Sequence, residues 1–304
     1  MSFSVQFLGT GAALPTIRRN PSAQYIECNN RHILIDCGEG TQTQLRKFQI
    51  KFQKIKIILI SHLHGDHYYG LMGLLSTMSL LGRNQDIHLY APPELKEIID
   101  LQLKASGHHY DFPIHFYPLK EKEKVKIYED KKIEIYAFPL NHRVATFGFV
   151  ISEKEKDFRL KGEVFKMDQV SLQAIPFFRK GENFFDENKN QLIIAKKYIL
   201  PPTSSKSYAY CSDNAVLESQ IQYLKNVDCL YHESTFIEKH KERAEKTKHS
   251  TAKQAAYLSK QSKVKKLYLG HISSRYEGVE PFLNEAKEIF SNVCIAEDGM
   301  KITV

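Results

Sequence analysis

Cysteine is scarce: the 304 residues hold five, Cys28, Cys37, Cys211, Cys229 and Cys294, an odd set with no C-x-x-C pair. That spacing excludes the dense disulfide framework of small secreted domains and points to reduced thiols packed in strands. Long hydrophobic runs are also missing. The most apolar longer stretch, residues 71–81, carries Ser76, Thr77 and Ser79 and stops well short of the roughly 20 residues a membrane helix needs. The first residues, Met-Ser-Phe-Ser-Val-Gln-Phe-Leu-Gly, alternate as a strand does and lack the basic and apolar segments of a secretion signal. A cytoplasmic protein with no membrane partner is the expectation. No repeat at a 20 to 50 residue period and no low-complexity tract is found, which sets aside solenoids and propellers.

What is present is ordinary globular composition, 42% apolar and 26% charged, with a formal charge of +8 and a pI near 9.0. Such a balance attracts polyanions, nucleic acid among them, although Lys-rich surfaces are commonly only solvated faces. Runs rich in β-branched and aromatic residues predict strands over residues 4–8, 24–28, 32–36, 56–60, 87–91, 133–138 and 147–151, then 207–211, 229–232, 266–269 and 293–296. Helices are expected over 40–48, 68–81, 93–104, 215–224, 252–260 and 281–290. Interleaved strands and helices argue for a layered α/β fold. Residues 152–206 break the rhythm with mixed charge and with Gly162, Pro176, Gly181, Pro201 and Pro202, and read as an inserted arm in a single domain spanning 1–304. Within it, Phe177-Phe178-Arg179-Lys180 either offers stacking and charge to a nucleic acid or packs as a small hairpin.

The most informative segment is Ser61-His62-Leu63-His64-Gly65-Asp66-His67, directly after the apolar run Ile57-Ile58-Leu59-Ile60. Three imidazoles and a carboxylate on a strand-to-helix turn can aim nitrogen and oxygen at one small volume, which suits a borderline divalent ion such as zinc. One cluster cannot complete two coordination shells. Distant partners are available just past other strands: His142, Asp213 and His271. Each alone is an ordinary loop residue. The remaining histidines, including His32, His88, His108, His109, His115 and His240, read as packing or surface residues.

H-x-H-x-D-H followed by His, Asp and His resembles the signature of the metallo-β-lactamase superfamily. The resemblance implies a four-layer αββα sandwich with two metal ions at the sheet edges. One ion would be held by His62, His64 and His142, the other by Asp66, His67 and His271, with Asp213 bridging. Further blocks resemble the ribonuclease Z family: Phe7-Leu8-Gly9-Thr10-Gly11, Ile35-Asp36-Cys37-Gly38-Glu39-Gly40-Thr41, His232-Glu233-Ser234-Thr235-Phe236, His249-Ser250-Thr251, and Leu269-Gly270-His271-Ile272-Ser273-Ser274-Arg275-Tyr276. The likeness covers almost the whole chain outside residues 152–206. It departs from the family at Asp213-Asn214, where Asp-Thr is usual, and in the arm, where Gln173-Ala174-Ile175-Pro176 stands in place of a Gly-Pro turn.

The resemblance implies an endoribonuclease that cuts precursor tRNA on the 3′ side of the discriminator nucleotide and leaves a 3′-hydroxyl. Two Zn2+ per subunit, or Mn2+ in their place, would activate the attacking water, and members are often homodimers. Asp66 would accept the proton of that water. His249, oriented by Glu233, would protonate the leaving oxygen, because imidazole titrates near neutral pH; the plain alternative is that His249 caps the helix beginning near Thr251. Ser273 and Arg275 offer donors to phosphate oxygens, or form only a structural turn with a surface arginine. A rival reading keeps both zinc ions and assigns a small phosphodiester as substrate. Another is a tRNA-binding protein without chemistry, against which the complete ligand set argues.

Overall fold

The computed structural model describes residues 3–120 and 122–304. The chain divides into two compact units, one formed by Met1–Ser152 with Lys206–Val304 and the other by Glu153–Ser205.

Two seven-stranded sheets build the larger unit. The first runs in the order Lys301–Thr303, Phe3–Gly9, Ala23–Cys28, Arg31–Ile35, Ile57–Leu59, Ile87–Ala91, Ile114–Pro118. It is antiparallel up to Arg31–Ile35 and parallel beyond. The second runs Val293–Ile295, Lys266–Gly270, Cys229–Glu233, Ser207–Cys211, Thr146–Glu153, Ile133–Leu140, Val125–Glu129, with parallel pairing among the first four.

Alternation of side chains along the strands explains the layering. Val5, Phe7, Ile33, Ile35, Ile57 and Leu59 of the first sheet share one core with Ile133, Ile135, Phe149, Ile151, Tyr208, Tyr210 and Tyr231 of the second. The residues between them face outward under helices. Leu8, Leu34, Ile58 and Ile60 pack with Leu45, Leu71, Leu74, Leu75, Met78 and Leu95. On the other side Ala209, Leu230, Leu267 and Leu269 pack with Ala252, Ala255, Ala256, Leu258 and Phe282. Burial of central strands on both faces is why Ile57-Ile58-Leu59-Ile60 is an unbroken apolar run. The result is the expected αββα sandwich.

Some elements differ from the expectation. Three edge strands, Ile114–Pro118, Val125–Glu129 and Lys301–Thr303, had no clear sequence signal, because an edge strand exposes polar side chains and loses the apolar run. The helix expected over 215–224 is a 3-10 turn at Glu218–Gln220 followed by Ile221–Leu224. The helix expected over 68–81 is two, Gly65–Tyr68 and Leu71–Leu80. At that break Gly70 comes so close to the carbonyl of Gly38 that a Cβ would lie 2.1 Å from the oxygen.

The smaller unit has its own core of Phe165, Val170, Ala174, Phe178, Phe184, Ile193, Ala195 and Tyr198. Two short antiparallel pairs, Arg159–Leu160 with Ile199–Leu200 and Phe184–Asp186 with Gln191–Ile193, accompany the helices Gly162–Met167, Ile175–Lys180 and Ala195–Tyr198. Phe177-Phe178-Arg179-Lys180 therefore lies on a helix and not in a hairpin. Pro176 sits in its first turn, where no amide hydrogen is needed, and Gly181 ends it at φ 81°. Phe178 is buried and Phe177 is 43% exposed.

Candidate metal centre

The site lies beyond the C-terminal ends of the central strands, where side chains from separate loops can converge. Asp36 follows Arg31–Ile35, the His62 to His67 segment follows Ile57–Leu59, His142 follows Ile133–Leu140, Asp213 follows Ser207–Cys211, Glu233 ends Cys229–Glu233, and His271 follows Lys266–Gly270. Two of these residues have left-handed backbones, Asp36 at φ 55° and His271 at φ 56°. Non-glycine residues adopt that conformation at a cost. Here it turns each side chain back across its strand end, and hydrogen bonds hold the turn: Asp36 N donates to Leu59 O at 2.8 Å and Cys37 N to His67 O at 2.7 Å.

Seven side chains form two adjoining clusters. His62, His64, His142 and Asp213 each offer a ligand atom within 4.8 Å of the others, and so do Asp66, His67 and His271. In the first, His64 Nδ1 lies 3.1 Å from His62 Nε2 and 3.3 Å from His142 Nε2. Asp213 Oδ2 is 3.6 Å from both of those Nε2 atoms. In the second, Asp66 Oδ2 is 3.4 Å from His67 Nε2 and from His271 Nε2. Asp213 Oδ1 is 3.3 Å from His67 Nε2 and 3.1 Å from His271 Nε2. Asp213 thus turns one oxygen to each cluster.

These atoms suit cations. Among the described residues His67 Nε2 and Asp213 Oδ1 are buried and find no hydrogen-bond partner, a state costing about 1–3 kcal/mol per group unless something else satisfies them. Outer hydrogen bonds free the inward nitrogens. His142 Nδ1 donates to Lys248 O at 2.8 Å and His67 Nδ1 to Asp36 Oδ2 at 2.7 Å, so that both Nε2 atoms face the cluster. Burial pushes His62 down to about 4 and lowers His64 and His142, which favours the neutral imidazole a metal requires. Burial would also discharge His67. Asp66, Asp213 and Asp36 around it outweigh that and hold its value above the ordinary one. Asp213 is held low against burial by His271, His67 and His62. This surplus of carboxylate is what a bound cation would balance.

Glu233 and His249 adjoin the clusters. Glu233 is fully buried, and its Oε1 accepts from His249 Nδ1 at 2.9 Å, Ser250 N at 2.9 Å and Asn214 N at 3.1 Å. His249 Nε2 lies 3.9 Å from Asp213 Oδ2. Burial alone would lower His249, but Glu233, aided by Asp213, pushes it up to about 9. The helix Ala252–Gln261 is capped by Thr251, whose side chain accepts from Gln254 N, so His249 is not the cap. His232 is a packing residue, with Nδ1 on Glu233 O at 2.6 Å and Nε2 beside the Asn214 amide at 3.3 Å.

A cavity of about 390 Å³ opens over the clusters, lined by His64, Asp66, Asp213, His249, His271, Leu14, Thr235, Phe236, Ser273 and three arginines, Arg143, Arg243 and Arg275. Arg275 stacks its guanidinium 5.1 Å above the Phe236 ring and bonds Ser273 Oγ at 3.0 Å. Ser273 and Arg275 both line this cavity. Sequence reasoning missed Arg143 and Arg243, which nothing separates from the chain's 43 basic residues. It also assigned no role to Asp36 and Thr235, although a carboxylate ending the apolar strand Ile33-Leu34-Ile35 was a usable signal.

Two facing sheets flanked by helices, with a His/Asp double cluster at the strand ends, define a protein of the metallo-β-lactamase fold. Comparison with known proteins narrows the class. Ribonuclease Z of Cytophaga hutchinsonii is 43% identical over 304 residues, covering 100% of this chain and 97% of that protein. Ribonuclease Z of Parabacteroides distasonis is 37% identical, covering 99% of each. Crystallised human tRNase Z, short form, superposes with a TM-score of 0.71 at 29% identity and 98% coverage of both chains. The family model described as anti-Pycsar protein Apyc1 matches residues 3–175, a stretch that ends before Asp213, Glu233, His249 and His271. The chain belongs to the ribonuclease Z family, matched over its full length.

Proposed function

We propose that this chain is a metal-dependent endoribonuclease that hydrolyses precursor tRNA on the 3′ side of the discriminator nucleotide, leaving a 3′-hydroxyl. The observation that carries the reading is Asp213, whose two oxygens face separate imidazole clusters while the Glu233–His249 pair stands beside it in one cavity. Two divalent cations, zinc or manganese, held by these clusters would lower the pKa of water and withdraw charge from phosphate oxygens.

The protein's own groups then divide the work. Asp66 Oδ2, at the cavity wall, accepts the proton of the attacking water. His249 carries one proton on Nδ1, committed to Glu233, and the other on Nε2, from which it passes to the departing 3′ oxygen. The value near 9 keeps that donor charged at neutral pH. Arg275, Arg143 and Arg243, with Ser273, hold the phosphates on either side of the scissile bond.

The arm Glu153–Ser205 serves the body of the tRNA, and the protein works as a cytoplasmic homodimer. Exposed Tyr69, Leu80 and Leu81 on and beside the helix Leu71–Leu80 support an apolar contact with a second copy. Metal analysis coupled to cleavage-site mapping on one precursor tRNA tests the central reading. One cut after the discriminator, abolished by a chelator and restored by zinc or manganese, is expected. Turnover of a chromogenic diester with no cut in the tRNA would overturn it in favour of a small-diester phosphodiesterase.

A further inference from the structure

One hydroxyl stands between the Glu233–His249 pair and the second cluster. Thr235 Oγ lies 2.8 Å from Glu233 Oε2, 2.9 Å from His271 Nδ1 and 3.2 Å from His249 Nδ1, and the residue is 5% exposed. The protons around it can be assigned. Glu233 Oε2 also takes Thr235 N at 2.8 Å, and Oε1 takes His249 Nδ1, Ser250 N and Asn214 N, so the carboxylate only accepts. The single hydroxyl proton of Thr235 therefore points to Oε2, and its lone pairs can only accept. His271 Nδ1 must then carry a proton and donate it. His271 Nε2 faces Asp66 Oδ2 at 3.4 Å and Asp213 Oδ1 at 3.1 Å, where it donates to carboxylate in metal-free protein and would offer its lone pair to a cation bound in place of that proton. His249 sends its Nδ1 proton to the nearer carboxylate oxygen at 2.9 Å.

We infer that Thr235 is a positioning residue that relays the charge of Glu233 to His271, so that one buried carboxylate fixes the ring and tautomer of both the proton-donating histidine and a cation-holding one. Its link to the cation rests on the reading of His271 as a ligand. The tautomer does not. Asp36 and His67 make the same kind of pair directly. At His271 the Thr235 hydroxyl stands between the imidazole and the carboxylate.

The test begins with metal-free wild-type protein, in which two-bond proton–nitrogen correlation spectra report the tautomer of each 15N-labelled histidine. His271 is expected to carry a proton on Nδ1; a bare Nδ1 beside a protonated Nε2 overturns the proposal. Zinc affinity is then measured by chelator competition for Thr235→Val, which removes the hydroxyl at similar shape, and Thr235→Ser, which keeps it. Thr235→Val is expected to bind zinc about 10- to 100-fold more weakly, as loss of an outer partner commonly does, and Thr235→Ser to return to the wild-type range. Wild-type affinity in Thr235→Val overturns the relay. Wild-type protein that shows a protonated His271 Nδ1 but binds no zinc would overturn the cation reading of the site and uphold the hydrogen-bond assignment. Should Thr235→Val fail to fold, the wild-type tautomer still decides.

Discussion

Asp36 Oδ2 accepts the Nδ1 proton of His67 at 2.7 Å, and both side chains are wholly buried. The same carboxylate takes Ser61 N at 2.7 Å, Ser61 Oγ at 2.9 Å and Tyr210 OH at 2.6 Å. One group therefore orients a candidate ligand, anchors the start of the His-rich loop and ties the two sheets together. Asp36→Asn puts an amide among four donors that all need an acceptor. We expect a loss of about 3–5 kcal/mol in unfolding free energy, in the range for breaking a buried pair from one side, together with a roughly 10- to 100-fold loss of zinc affinity. Chemical denaturation and chelator competition measure the two. Wild-type values in both would show that His67 is held by other means.

The Glu233–His249 pair makes the stability of metal-free protein depend on pH. Burial disfavours charge on Glu233, yet His249 beside it more than compensates and keeps the carboxyl below its ordinary value. His249, at about 9, is raised above its unfolded value of 6.5. Its contribution is complete below pH 6.5 and is lost as pH rises through about 9. The contribution of Glu233 is complete above its unfolded value of 4.5 and is lost as pH falls through the lower folded one. The urea midpoint of the metal-free protein should fall between pH 6.5 and 9, and Glu233→Gln should flatten that part of the curve. His67 titrates in the same sense, so the difference between the two proteins, and not the wild-type curve alone, carries the test. Parallel curves would contradict the pairing.

The candidate ligands that converge on the site were legible because they stand just past runs that read as buried strands. Ile57-Ile58-Leu59-Ile60 before His62 and Leu267-Tyr268-Leu269 before His271 are two such runs. Paired parallel strands end together, so their following residues meet. Less legible was anything decided by a partner far along the chain. Thr235 reads as a loop threonine until His271 and Glu233 close around it. Arg143 and Arg243 have no neighbouring pattern, and their common outlet onto one cavity comes from where a bend and the helix Lys241–Thr247 are placed in the fold. The exposed strands Ile114–Pro118 and Val125–Glu129 stayed hidden because solvent on one side removes the apolar signature that marks a strand.

Arg275 combines a stacked guanidinium with free donors at the cavity edge, 5.1 Å over Phe236. Its replacement tests whether that edge holds RNA. Arg275→Ala should raise KM for precursor tRNA and lower the slope of log affinity against log salt by roughly 0.7 to 0.9, the value of one phosphate contact. Arg275→Lys should recover only part of the loss, since an ammonium keeps the charge but cannot both stack and fork. An unchanged slope in Arg275→Ala would assign the residue to local packing against Phe236.

Phe178 allows the arm to be perturbed by itself, since it belongs to the core of that unit alone. Its ring stacks on Tyr198 at 5.4 Å and meets Phe165 edge-on at 6.1 Å, with no exposed surface, in a core of only eight buried residues. Phe178→Ala should cost about 3–5 kcal/mol, more than so small a cluster can absorb, and so should open Glu153–Ser205 to limited proteolysis. The double cluster draws nothing from this unit, so zinc content should stay at the wild-type level. If the arm serves the body of the tRNA, KM for a precursor rises by an order of magnitude or more, and a truncated acceptor-stem substrate is cut as before. Equal losses on both substrates, or on neither, would remove the arm from substrate binding.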